Sequence, residues 1–412
     1  MVVRPCKILR LPRSFTMYTP IDLPEPGADE RTHSDKLRKL MRQRIAAAGG
    51  WIDFAEYMNL ALYAPGLGYY SAGATKFGAA GDFVTAPEVS DLFARCVARA
   101  IAPILARDGN QSVLEVGAGT GALAADVLNT LARDGAEPDQ YRILEVSADL
   151  RDRQRQTLQA RAPDLVSRVE WLDQLPPQFD GVILANEVLD AFPVSRFQIA
   201  ADGESVRALG VGIDGDGFCW ADQPASQALL ECVAAIEESI GARLPAGFAS
   251  EVSMSLAPFV AGWADVLRDG ACLLIDYGLP RRELYALQRP DGTLICHYRH
   301  RAHADPFHLP GLQDITAWVD FTATAEAAVA VGLRVDGYMT QAQFLIAAGI
   351  EAEFQHAGEA QSDAESRLAL SREMQVLLMP GEMGERFKLM WLSRGDAAPP
   401  PSFEQYDQRH RL

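Results

Sequence analysis

Val113-Leu114-Glu115-Val116-Gly117-Ala118-Gly119-Thr120-Gly121 joins an apolar run to three glycines, and a helical stretch from Ala122 to Leu131 follows it. The run reads as a buried parallel strand, and the glycines as the turn that leads into a helix. Glycines let the backbone approach a ligand closely, and a new helix presents free N–H groups. One strand–helix–strand unit later, Arg142-Ile143-Leu144-Glu145-Val146 is a second apolar strand that ends in a carboxylate. A carboxylate at that place can accept hydrogen bonds from two ribose hydroxyls, which predicts a nucleoside cofactor. A tight strand-to-helix turn with no ligand is the plain alternative.

Gly117, Gly119 and Ala122 also satisfy the dinucleotide pattern G-x-G-x-x-G/A, so a nicotinamide-dependent dehydrogenase stays open. Two features favour S-adenosyl-L-methionine (SAM) instead. Glu115 lies just before the first glycine, where it opposes a pyrophosphate and suits a cationic ligand. Gly181-Val182-Ile183-Leu184-Ala185-Asn186-Glu187 is a further apolar strand ending in an amide and an acid. Ligands of open α/β sheets bind beyond the carboxyl ends of the strands, so these two residues should face the same crevice.

Strands are expected near 112–117, 141–146, 168–171, 181–185, 271–277, 333–338 and 386–393, with helical segments between most of them. That alternation predicts an α/β fold with a doubly wound, mostly parallel sheet. A mobile lead-in covers 1–33, and a helical cap 34–106, with helices from Lys36 to Ala48, from Asp53 through Leu62 and from Ser90 to Ala106. The core runs over 107–196 and resumes over 263–395, with a loop at 290–315. Between its parts, 197–262 breaks the rhythm with Asp202-Gly203 and the run from Asp214 to Gly217, which predicts added antiparallel strands on the substrate side. Residues 396–412 contain three successive prolines and read as a disordered or loosely held tail.

Longer motifs narrow the family. Gly81-Asp82-Phe83-Val84-Thr85-Ala86-Pro87-Glu88, Asn186-Glu187-Val188-Leu189-Asp190-Ala191-Phe192-Pro193-Val194, Leu274-Ile275-Asp276-Tyr277-Gly278 and Gly292-Thr293-Leu294 resemble the MidA family of class I SAM-dependent methyltransferases. The resemblance runs from about Leu37 to Arg394. It implies SAM as cofactor and a protein-arginine methyltransferase, since the family includes a mitochondrial enzyme that assists assembly of respiratory complex I. The implied acceptor is an arginine in the subunit that helps form the quinone site. Asp82, Thr85 and Glu88 would help cover the cofactor; as residue types they also suit ordinary turns and helix starts.

The cofactor set expected from these patterns is Asp82, Thr85, Glu115, Gly117, Gly119, Gly121, Glu145, Asp173 and Asn186. The glycines would border the methionine part, Glu115 would orient its ammonium through water or backbone, and Asp173 could accept from the adenine amino group. Asp173 can equally be an exposed loop residue. Chemistry is expected from Asn186, Glu187, Asp190 and Tyr277. An arginine guanidinium is always charged and offers a planar fork of donors, which two carboxylates can hold. Glu187 and Asp190 are three apart and share one face if the chain turns helically after its strand, and one of them can collect the released proton. Asp190 can instead cap a helix, and Tyr277 can be a buried tyrosine with a satisfied hydroxyl. A non-catalytic assembly chaperone that keeps SAM as a structural ligand is the reading outside enzymes.

Composition bounds the rest. The chain has 412 residues, 48% hydrophobic and 23% charged, with a net charge of −17. That balance argues against nucleic-acid binding, which needs clustered Lys and Arg. It suits a basic protein substrate, or solubility alone. Cys6, Cys96, Cys219, Cys232, Cys272 and Cys296 lack C-x-x-C spacing, so neither a disulfide framework nor a metal cluster is expected, and the compartment is reducing. His297, His300 and His303 recur every third residue without a convincing fourth ligand, so no metal is assigned. No run is long enough for membrane insertion. Arg4, Lys7, Arg10 and Arg13 without an acid resemble a transit peptide, and a start at Met17 explains them equally. Cytoplasm is expected, with the mitochondrial matrix as alternative; oligomeric state stays open.

Overall fold

The protein is described from a computed structural model, which covers residues 23–71, 85–109, 111–361 and 363–412. Two compact units emerge. One holds the described residues of 84–189, 257–278 and 321–412, the other those of 1–83, 190–256 and 279–320.

The first unit is built on the expected strands: β1 (Ser112–Val116), β2 (Tyr141–Leu144), β3 (Val169–Leu172), β4 (Phe179–Asn186), β5 (Leu267–Leu279), β6 (Arg334–Thr340) and β7 (Phe387–Arg394). Their order across the sheet is β6-β7-β5-β4-β1-β2-β3. Strands β5, β4, β1, β2 and β3 are parallel, and β7 runs antiparallel to both β5 and β6. The chain leaves β1 toward β2 and β3, then returns to lay β4 on the opposite side of β1. That reversal places a topological switch point between β1 and β4, where the carboxyl ends of the strands open a crevice. Every residue of β1 is buried, as an apolar strand covered on both faces must be.

Helices α1 (Asp91–Leu105), α2 (Ala122–Arg133) and α3 (Ala148–Arg161) connect or flank these strands. Ser90 and Ser147 cap α1 and α3, their hydroxyls accepting from Leu92 N and Leu150 N at 3.4 Å each. The apolar faces of α1 and α2 join Val113, Val182, Leu184, Leu273 and Trp391 in one core.

The second unit carries the antiparallel strands expected in the insertion. Ser195–Ile199, Val206–Asp214 and Gly217–Pro224 pair in succession, and Ile52–Asp53 and Ala249–Val252 complete the sheet. Two expectations are corrected here. The helix foreseen from Lys36 starts at Ala28, inside the stretch read as lead-in, because Gly27 N donates to Glu30 Oε2 at 2.6 Å and closes the first turn. The 290–315 stretch is not a continuous loop: Ile295–Tyr298 pairs with Arg301–His303 and with Asp314–Thr316. Its tight connection uses Arg299 and His300 at φ 48° and 60°, a left-handed pair that normally selects Gly or Asn. Arg299 is held there by both carboxylate oxygens of Glu30, at 2.9 and 2.7 Å.

The tail is also ordered rather than loose. Phe403 is buried and lies 5.7 Å from the Phe344 ring and 5.6 Å from the Trp391 ring, measured between centroids. Any Cβ at position 337 would run into the Phe403 ring, so Gly337 is the residue that admits it. Past the prolines the chain follows the open side of β6: Gln408 N donates to Tyr338 O at 2.7 Å, and Tyr338 N to Asp407 Oδ1 at 3.2 Å. The edge strand is thereby covered. Phe403→Ala is expected to cost about 3–5 kcal/mol in urea unfolding, as burial of a large ring in a packed core requires. A loss below about 0.5 kcal/mol, the range of surface substitutions, would show that the tail is a passive cover.

Candidate functional site

The glycine turn after β1 has the backbone its residues permit. Gly117, Gly119 and Gly121 all have positive φ, at 68°, 52° and 84°. Gly117 N still reaches Leu144 O at 3.3 Å, and Gly121 N turns back to Ala118 O at 2.8 Å. A Cβ on Gly117 would meet Val188 Cγ2 at 3.2 Å, and one on Gly121 would meet Gln154 Cα at 3.1 Å. A Cβ on Gly119 would meet nothing within 4 Å, so the middle of the turn faces open space. Glu88, from the amino-terminal motif, reaches this turn: burial pushes its carboxyl up against a hydrogen bond from Thr120. Thr85 precedes the helix Ala86–Val89 without a side-chain cap bond. Asp82 lies outside the described residues.

Glu115 is buried beneath the turn and accepts from Tyr141 Oη at 2.6 Å. Its carboxylate therefore ties β1 to β2 and can influence a ligand only through intervening groups. Burial pushes its carboxyl up to about 7, against the stabilising Tyr141 bond.

Glu145 ends β2 as expected, and its surroundings are more built than the sequence suggested. Oε1 accepts from Ser147 N at 2.9 Å, and Oε2 from Gln154 Nε2 at 3.1 Å. Gln154 also donates to Gly119 O at 3.1 Å and accepts from Trp171 Nε1 at 2.9 Å. Burial raises the Glu145 carboxyl despite these bonds. The Val146 N–H also favours its ionised form, and the three donors leave room on the carboxylate for a further one. Asp173 sits differently: its side chain is 86% exposed and pairs with Arg151 at 2.7 Å. Arg151 also donates to Glu145 O at 2.6 Å and Leu172 O at 2.7 Å, so it fastens the ends of β2 and β3 together. Gln154 was missed in the sequence reading. Its signal was a polar residue on the otherwise apolar line Leu150–Gln154–Leu158 of α3.

At the end of β4, Glu187 adopts φ 54°, a left-handed conformation that is costly for a residue with a side chain. Asp276, at the end of β5, holds it there. Asp276 Oδ2 accepts from Val188 N at 3.1 Å and Leu189 N at 2.7 Å, while Oδ1 accepts from Tyr277 N at 2.8 Å. Glu187 N donates to Ile275 O at 2.8 Å. The Glu187 carboxylate then lies between Asn186 Nδ2, at 3.1 Å, and Tyr277 Oη, at 3.3 Å. Tyr277 packs on Phe387, with centroids 4.0 Å apart. Asn186 Oδ1 is buried without a hydrogen-bond partner. The shared helical face expected for Glu187 and Asp190 does not form, because the chain after β4 is a turn and not a helix. Asp190 belongs to the other unit, where it is buried and its carbonyl accepts from Ala317 N at 3.0 Å.

The histidines take structural surroundings. Burial lowers His297 to about 4 and also lowers His303 and His308. Among the described residues no group of three or more His, Cys, Asp or Glu is placed to hold a metal ion, and no helix is long and apolar enough to cross a membrane.

Glu115 gives a signed pH dependence. Below about pH 4.5 its carboxyl is protonated in both folded and unfolded chains. Between 4.5 and about 7 the unfolded chain ionises while the folded one keeps its proton, so this group's contribution to stability falls as pH rises through that window. Glu115→Gln keeps an acceptor for Tyr141 and removes the titration. Its stability relative to the native sequence should rise from pH 4.5 to 7 by up to about 3 kcal/mol and then level off. A pH-independent difference in chemical denaturation would show that Glu115 ionises normally.

Comparison with known proteins agrees with this geometry. Residues 96–339 match the family Methyltransf_28, described as "Putative S-adenosyl-L-methionine-dependent methyltransferase". A superfamily member from Burkholderia thailandensis, crystallised with S-adenosyl-homocysteine, is 46% identical, with 95% of this chain and 100% of that chain covered at a TM-score of 0.89. A native structure from the same organism is 45% identical, with the same coverage and a TM-score of 0.87. The mitochondrial protein arginine methyltransferase NDUFAF7 homologs are more distant. That of Drosophila melanogaster is 29% identical over 406 residues, covering 92% of this chain and 90% of the relative. That of Caenorhabditis elegans is 27% identical over 408 residues, covering 91% and 90%. The chain has the α/β, mostly parallel sheet of class I methyltransferases and belongs to the MidA family, whose cofactor is S-adenosyl-L-methionine.

Proposed function

We propose that this chain transfers a methyl group from SAM to an arginine side chain of a protein partner. The family resemblance points to the subunit that helps form the quinone site of respiratory complex I. The carrying observation is Glu187: a carboxylate held in a left-handed turn at the switch point, aimed by Asn186 and Tyr277. The relatives named as protein arginine methyltransferases support the choice of acceptor.

The residues present fit the cofactor. The positive-φ turn Gly117–Gly121, open at Gly119, leaves backbone for the methionine part, and Glu145 has room for a further donor such as a ribose hydroxyl. Asn186 Oδ1, buried and unpartnered, awaits a donor. Glu88 borders the same turn, Thr85 precedes the short helix that carries Glu88, and Asp173 is left to the adenine edge by its position after β3. Bound there, SAM supplies an electrophilic methyl group.

The chain's own task is to prepare the acceptor. A guanidinium, with a pKa of about 12.5–13.8, keeps its charge at any working pH. One Glu187 oxygen receives an N–H from a nitrogen away from the methyl group and draws positive charge toward it, while the other oxygen faces the attacking nitrogen. The nitrogen facing the methyl group then keeps more of its lone pair. As the new N–C bond forms and the methyl–sulfur bond breaks, that nitrogen becomes more acidic, and Glu187 takes the proton. Asn186 and Tyr277 keep the carboxylate oriented throughout, and alignment alone can supply a large part of the rate. With no helical turn after β4, the role rests on Glu187 and not on a Glu187–Asp190 pair.

Labelled SAM, incubated with the protein and isolated complex I subunits, should yield methylarginine detectable by mass spectrometry. Glu187→Gln should lower transfer by about 100-fold or more, as loss of a positioned base does. Its binding of S-adenosylhomocysteine in calorimetry should stay near native, whereas Gly119→Val should abolish that binding. Unchanged transfer by Glu187→Gln would remove Glu187 from the chemistry, and label on another residue type would replace arginine as acceptor.

A further inference from the structure

Gln154 is fully buried on α3, yet none of its chemistry is that of a core residue. Trp171 Nε1 can only donate, so the bond at 2.9 Å fixes Gln154 Oε1 toward it. The amide nitrogen must then face the opposite way. Its two protons go to Gly119 O and Glu145 Oε2, each at 3.1 Å. One carboxamide therefore joins the glycine turn after β1, the carboxylate at the end of β2 and the indole on β3.

We propose that Gln154 is a positioning residue of the cofactor site, holding the Glu145 carboxylate in the orientation that receives the ribose and fixing the middle of the glycine turn at the same time. The inference rests on the reading that Glu145 binds the ribose. No other uncharged side chain of this length donates two hydrogen bonds while accepting a third. The close fit at Gly121 belongs to the same arrangement, since a Cβ there would press on Gln154 Cα at 3.1 Å and push the amide off its partners. The charged groups nearby are already committed. Arg151 is spent on Asp173 and two carbonyls, and Arg155 lies over the Trp171 ring at 4.8 Å.

Two variants separate positioning from simple packing. Gln154→Met keeps length and volume but loses all three bonds. Gln154→Glu puts a second carboxyl against Glu145, and two carboxyls sharing a site retain one proton until one of their pKa values, raised well above normal, is passed. While that proton is present, it can restore the donor to Glu145. Calorimetric titration with S-adenosylhomocysteine, run at several values between about pH 6 and pH 8.5, reads the difference. Gln154→Met should weaken binding about tenfold across the range, the effect of one or two lost hydrogen bonds. Gln154→Glu should bind near the native level at the acidic end and about tenfold or more weaker at the alkaline end. Thermal melting of the ligand-free variants checks that they fold, and Gln154→Met carries the test if Gln154→Glu does not. Binding of Gln154→Met within twofold of native, or equal weakening of both variants at every pH, overturns the inference. Failure of the native protein to bind S-adenosylhomocysteine overturns the cofactor reading on which it rests.

Discussion

The constraint on which the site depends is the reversal of strand order at β1. Parallel strands place all their carboxyl ends at one edge, and the return of the chain to β4 prevents a connecting helix from covering that edge between β1 and β4. The glycine turn, Glu145, Asn186-Glu187 and Asp276-Tyr277 gather there. The antiparallel β7 supports the same edge from the side, placing Phe387 opposite Tyr277 in register.

Strain at Glu187 shows how the edge holds a shape that the local sequence disfavours. A left-handed residue with a Cβ costs about 1–2 kcal/mol. Hydrogen bonds to a charged acceptor contribute about 1.5–3 kcal/mol each, and Asp276 makes two to the backbone just beyond Glu187. The clamp therefore outweighs the strain, and the turn can stay fixed without help from a ligand. Asp276 is buried and accepts backbone N–H groups on both oxygens, so it orients the turn that carries Glu187.

The strands and the glycine turn were legible because each leaves a local signature: apolar runs of strand length, and glycines where φ must be positive. Three other features left a faint signature or none. Gln154 lies in a polar helix among Gln156 and Gln159, and only the burial of the 150–154–158 line distinguishes it. The Arg299-His300 turn lacks the Gly or Asn that marks such a connection, because its conformation is imposed by the distant Glu30. The tail looks loose from its prolines, yet it is ordered by Phe403 entering a space that Gly337 leaves open sixty-odd residues earlier in the chain. Long-range contacts decided all three. The shared face expected for Glu187 and Asp190 is absent for the opposite reason: helical spacing is a local rule, and the chain there makes a turn.

The charge of the edge explains why this glycine pattern accompanies SAM and not a dinucleotide. Glu115, Glu145, Glu187 and Asp276 crowd the carboxyl ends of β1, β2, β4 and β5, and burial already raises Glu115 and Glu145. Arg151 hydrogen-bonds Asp173 and two carbonyl oxygens; its charge eases the ionisation of Glu145 but does not overcome burial. A pyrophosphate would add negative charge to acids that are poorly solvated, at a cost that the N–H groups of one helix terminus cannot offset. A ligand with a sulfonium and an ammonium has the opposite effect, favouring the ionised carboxylates that burial disfavours. The same charge would favour the guanidinium acceptor proposed above, so one distribution of charge would serve both cofactor and acceptor.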